Sequence, residues 1–187
     1  MKHIAIFASG EGTNAENIIR YFQHDNVIKV AVVLSDQKNA NVLNRASNLH
    51  IPAKAFSKDD LYHSDSIPDL LIELKIDLIV LAGFLKLMPE KIIKEFKGRI
   101  INIHPALLPK FGGKGMYGMH VHRAVHGAKE KETGITIHHV NEKFDEGEII
   151  FQEKFSIGEN DSPEKIVEKI RKLELKYYPE VIRKMLS

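Results

Sequence analysis

Along the first hundred residues, short apolar or β-branched runs alternate with longer amphipathic stretches. The runs at 4–8, 27–34, 53–56, 78–82 and 100–103 predict strands, and the stretches at 14–23, 41–49, 59–75 and 90–96 predict helices. The first and fourth runs are apolar throughout, as strands buried on both faces are. Such alternation implies βαβ units with right-handed crossovers. The pattern changes after Pro105. Residues 105–119 carry Gly112, Gly113, Gly115 and Gly118, and predict a mobile loop. A short helix follows near 122–129. Strands at 133–140 and 148–155, joined by a turn at Asp145-Glu146-Gly147, predict an antiparallel pair at the sheet edge. Ser162 as N-cap and Pro163 at the first position start a last helix. The expected fold is α/β: a mostly parallel sheet with helices on both faces and an antiparallel C-terminal edge. It is read as one domain over residues 1–187, without repeats or linkers.

Composition narrows the function. At 43% hydrophobic and 28% charged residues the chain is an ordinary globular sequence. With no Cys, a disulfide framework, a Cys-ligated metal and a thiol nucleophile are excluded. A net charge of +2 is too small to suggest a nucleic-acid partner, but leaves room for a small anionic substrate. The longest apolar run, 78–85, is far short of the ~20 residues that span a bilayer. The N-terminus reads as a strand rather than a signal peptide. No membrane association and a cytoplasmic location are expected.

Two segments carry candidate chemistry. The first strand ends in Ser9-Gly10-Glu11-Gly12-Thr13-Asn14-Ala15 and runs into a helix. Glycines there bring backbone N–H groups close to a ligand, and the helix N-terminus favours an anion such as phosphate. A plain strand-to-helix turn is the simpler alternative. The same residues also satisfy a dinucleotide fingerprint, with Asp36 placed as a ribose-binding acid. The loop alone does not decide between a nicotinamide enzyme and a phosphomonoester site.

The second segment is Arg99-Ile-Ile-Asn-Ile-His-Pro105. Residues two apart on a strand share a side, so Asn102 and His104 project together from the end of an apolar strand. Ligands of parallel sheets bind outside the carboxyl ends of the strands. Asp145 reads either as a turn residue or, if the edge pair folds back, as a partner of His104. With no Cys and no G-x-S-x-G elbow, a covalent acyl-enzyme is disfavoured and direct attack on an acyl carbon is left. His would take the proton of the nucleophile, Asn would stabilise the oxyanion, and Asp would fix the His tautomer. The histidines at 120, 122, 126, 138 and 139 raise a metal alternative, but their spacing does not converge and no metal is expected.

Taken together, these stretches resemble the phosphoribosylglycinamide formyltransferases, a folate-dependent family of purine synthesis. The resemblance runs over essentially the whole chain. It rests on Ser9–Asn14, on Leu81-Ala-Gly-Phe-Leu-Lys-Leu-Met88, and on Asn102-Ile-His-Pro-Ala-Leu-Leu-Pro109. It also rests on His120-x-His122, Gly134-Ile-Thr-Ile-His138, Asp145-Glu-Gly147 and Tyr178-Pro179. The resemblance implies a Rossmann-like sheet without a nicotinamide. It implies Asn102, His104 and Asp145 as catalytic, and Gly12, Thr13 and Asn14 on the phosphate of glycinamide ribonucleotide. Glu174 would contact that ribonucleotide. Leu85, Lys86, Leu87, Met88, Val140 and Asn141 would hold 10-formyltetrahydrofolate, the co-substrate. The implied reaction is formyl transfer to the glycinamide amine, with a homodimer left open. Hydrolysis of the formyl folate is the alternative on the same trio. Relatives acting on methionyl-tRNA, and the deformylases, carry an additional domain for which 187 residues leave no room. Two departures stand out: loop 111–119 is longer and richer in Gly than the family pattern, and Glu146 stands where Gly is common.

Overall fold

The computed structural model describes residues 1–187. Strands β1 (Lys2–Phe7), β2 (Ile28–Ser35), β3 (Ala53–Ala55), β4 (Ile76–Leu81), β5 (Ile100–His104), β6 (Glu132–His139) and β7 (Ile149–Ser156) form one sheet in the order β3-β2-β1-β4-β5-β6-β7. The first five are parallel, and β6 and β7 add antiparallel to one edge. The chain winds outward from β1 to β3, then returns to place β4 on the other side of β1. That reversal opens a crevice at the carboxyl ends of β1 and β4, where doubly wound sheets bind ligands.

The apolar run of β1 is buried on both faces. Ile4, Ile6 and Ala8 join a core with α1 (Thr13–Phe22), α2 (Asn41–Asn48) and α7 (Pro163–Leu186). Ala5 and Phe7 face the opposite core, with α3 (Lys58–Tyr62), α4 (Ser66–Glu73) and α5 (Glu90–Glu95). The same alternation holds in β4, where Leu78 and Val80 belong to the first core and Ile79 and Leu81 to the second. No helix is long and apolar enough to cross a membrane.

Helix α7 carries Pro179 in its interior. Proline has no N–H, so the carbonyl four residues earlier, that of Leu175, loses its helical partner. Asn17 of α1 fills the vacancy: its Nδ2 donates to Leu175 O at 2.7 Å. Nearby, the buried Tyr178 hydroxyl donates to Leu81 O at 2.9 Å and ties α7 to the carboxyl end of β4.

Three expectations need correction. The helix expected at 59–75 is two helices, α3 and α4, broken around Ser64. In the middle of a helix Pro68 would remove a backbone hydrogen bond, whereas in the first turn of α4 its missing N–H would be unpaired anyway. Helix α6 (Met119–Gly127) starts three residues before the expected 122. The connection between β6 and β7 is not a tight turn at Asp145. It spans 140–148 and arches back over the sheet end, with Val140 N still bonded to Ile100 O at 3.0 Å.

Candidate active site

A cavity of about 730 Å³ lies at the crevice, within the range of small-molecule sites. Three strand ends build it. β1 supplies the loop into α1, β4 supplies Gly83–Met88, and β5 supplies Asn102 and His104. Loop 140–148, the glycine-rich loop before α6, and α7 close the remaining walls.

Gly12 caps α1 in the left-handed region, at φ +75°. It is not a cavity residue: it packs on Val42 of α2, so closely that a Cβ would collide with that side chain. Thr13 and Asn14 do line the cavity. Their N–H groups lie in the first turn, where a helix offers donors without helical partners. Asn14 Nδ2 donates to Glu174 Oε2 of α7 at 3.0 Å. Burial raises the Glu174 pKa, against the Asn14 bond and the charge of Arg171. Arg171 lines the same end of the cavity and was not singled out by sequence.

Asn102, His104 and Asp145 meet on the wall of the same cavity. Loop 140–148 brings Asp145 Oδ2 to 3.4 Å from His104 Nδ1 and Oδ1 to 3.4 Å from Asn102 Nδ2. Asp145 is only 10% exposed, in the left-handed region at φ 57°, and Gly113 N donates to its Oδ2 at 3.0 Å. Burial pushes its pKa up, but the polar surroundings of the carboxylate, with His138, His104 and the Gly113 N–H, outweigh that and hold it below the ordinary carboxylate value. His104 is buried, and burial lowers its pKa despite the charge of Asp145 and the bond to the Phe111 carbonyl.

His138 was met in the sequence only among dispersed histidines and within a family motif. The antiparallel register sets it opposite Asn102. Its Nδ1 lies 2.8 Å from His139 O. Only an N–H can bond a carbonyl, so in the neutral ring Nε2 is the acceptor, and Asn102 Nδ2 lies 3.2 Å from it. This fixes the amide orientation of Asn102. His138 Nε2 and Asp145 Oδ1, 3.5 Å apart, form a nearly equilateral triangle with Asn102 Nδ2. Amide hydrogens diverge more widely than two such acceptors, so one serves that pair and the other is left for a ligand.

Leu85, Lys86, Leu87, Met88 and Val140 all line the cavity beside Phe84 and Phe144. Ser9 holds this segment to β1: its N–H donates to Gly83 O, and its Oγ accepts from Leu85 N, both at 3.0 Å. Asn141 does not line the cavity; its side chain accepts from Lys143 N at 3.0 Å within its own loop. Glu146 pairs with Lys143 at 3.0 Å. Asp36 also lies outside, bonded to Gln37 Nε2 at 2.9 Å.

An α/β enzyme is thus defined, with a helix-terminus loop and an Asn-His-Asp cluster opening on one cavity. A formyl transferase family model matches residues 2–182. The phosphoribosylglycinamide formyltransferase of Bacillus subtilis is 38% identical over 192 residues, covering 100% of this chain and 96% of the relative. That of Haemophilus influenzae is 40% identical, over 98% of this chain and 86% of its own. The crystal structure of glycinamide ribonucleotide transformylase 1 from Geobacillus kaustophilus superposes with a TM-score of 0.90 at 35% identity, covering 100% of both chains. The chain belongs to the formyl transferase family, among its phosphoribosylglycinamide formyltransferases. It is a transferase.

Proposed function

We propose that this enzyme transfers the formyl group of 10-formyltetrahydrofolate to the amine of glycinamide ribonucleotide. The observation that carries the reading is one cavity joining three features: the α1 terminus with Thr13 and Asn14, the Asn102–His104–Asp145 cluster, and the apolar segment Leu85–Met88. The first suits a phosphate, the second an attacking amine, and the third the flat ring of a folate. Gly12 supports the phosphate loop by its backbone, and Glu174 faces the ribonucleotide.

Attack of the amine on the formyl carbon sends the carbonyl electron pair to oxygen, where the free Asn102 N–H stabilises it. His104, kept neutral by burial, takes the proton that the amine loses. It returns that proton to the folate nitrogen as the carbon–nitrogen bond breaks. Asp145 stabilises the imidazolium in between. Nε2 of His104 is engaged by the Phe111 carbonyl at 2.8 Å. The attacking amine takes the place of that carbonyl at Nε2.

A steady-state assay with both substrates tests the reading. Tetrahydrofolate should form only when glycinamide ribonucleotide is present. Formate release at an undiminished rate without it would instead identify a hydrolase.

A further inference from the structure

His122 of α6 lines the cavity, yet the steps above give it no task. Its side chain is buried, its Nδ1 is enclosed without a partner, and no hydrogen bond reaches its Nε2. A polar ring enclosed in this way costs free energy unless something supplies the bond. Buried polar groups in folded proteins are almost always partnered, so each exception calls for an explanation. His139 also has an orphan Nδ1, but it does not line the cavity.

The position of His122 defines the missing partner. α6 packs on α7, which carries Arg171 and Glu174. His122 lines the same cavity as His104 and Glu174. It shares that cavity with Thr13, Asn14 and Glu174, at the phosphate site, and with the reacting group at His104. We infer that His122 binds the uncharged middle of the ribonucleotide, hydrogen-bonding its ribose hydroxyls or its glycinamide amide. This rests on the function proposed above. Burial lowers the His122 pKa and favours the neutral ring. A neutral imidazole offers one donor and one acceptor, which suits a hydroxyl or an amide.

The test is calorimetric titration of glycinamide ribonucleotide into the wild type, His122→Leu and His122→Gln, with thermal unfolding of each ligand-free form. His122→Leu should bind the ribonucleotide about 10- to 100-fold more weakly, the loss of a hydrogen bond left unmade. Its KM for the formyl folate should not change. Its ligand-free melting temperature should hold or rise, because an apolar side chain replaces an unpartnered one. His122→Gln should recover part of the affinity. If the Leu form does not fold, His122→Phe decides in its place. Unchanged ribonucleotide affinity in the folded variant overturns the inference, as does an equal loss for both substrates with a lower melting temperature. A wild type that does not bind the ribonucleotide overturns the proposed function and this inference with it.

Discussion

Asp145 Oδ2 faces Nδ1 of His104 at 3.4 Å, while the Phe111 carbonyl faces Nε2 of the same ring at 2.8 Å. Both nitrogens look at acceptors, and only the imidazolium donates to both. Burial works the other way and prevails, leaving the pKa below its ordinary value. The ring is thus neutral at rest, in surroundings ready to accept its charge.

Asp145→Asn removes the carboxylate that favours the imidazolium, so the His104 pKa should fall further. The acid limb of kcat/KM, which reports loss of the neutral base, should move to lower pH. The rate should drop by about 10³–10⁴, as in the comparable exchange in a serine-protease triad. A solvent-facing turn would have screened the charge, but Asp145 is enclosed. pH profiles of both forms check this; identical profiles would make Asp145 a mere turn residue.

Glu174→Gln should stabilise the ligand-free protein near pH 7. The raised pKa of Glu174 means that folding disfavours its ionised form. Wild-type stability therefore falls as pH rises from the ordinary carboxylate value through the raised one, and the Gln form escapes that loss. Urea unfolding should show a gap at pH 7 that closes as the pH drops below the carboxylate range. A constant gap would assign the effect to packing instead.

Gly12→Ala and Gly83→Ala share a backbone cost, since both residues have φ near +75°, at 75° and 76°. Only at Gly12 does the new Cβ meet a neighbour, Val42. Gly83→Ala should cost about 1–2 kcal/mol, the penalty for a left-handed L-residue. Gly12→Ala should cost clearly more and also weaken ribonucleotide binding, because α1 shifts. Denaturant midpoints and KM values separate the two; equal costs would show that Val42 yields freely.

Ser9→Ala deletes the acceptor of the Leu85 N–H. A hydrogen bond of this kind is worth about 1 kcal/mol. KM for the formyl folate should rise about fivefold, with KM for the ribonucleotide unchanged. A change in the second constant alone would place Ser9 in the phosphate loop instead.

The sequence disclosed what short-range periodicity and local chemistry encode. β1 and β4 read as doubly buried because every position is apolar, and Asn102 and His104 read as neighbours because a strand alternates. Asp145 stayed ambiguous, since only the arch of loop 140–148 turns it inward. His138 stayed hidden because its role depends on antiparallel register with Asn102, 36 residues earlier in the chain, which no local pattern records. The break before Pro68 was legible in principle: a proline inside a helix spanning 59–75 would remove a backbone hydrogen bond, which favours two helices over one.

Pro179 has a consequence for alignment. Along the inner side of α7 it leaves a single interior carbonyl, that of Leu175, without a helical donor, and Asn17 is bonded to it. A slip of α7 by one turn along α1 would offer Asn17 a carbonyl already taken and would strand Leu175 unpaired. The proline thus acts as a keyway that admits one register, the one in which Glu174 arrives opposite Asn14.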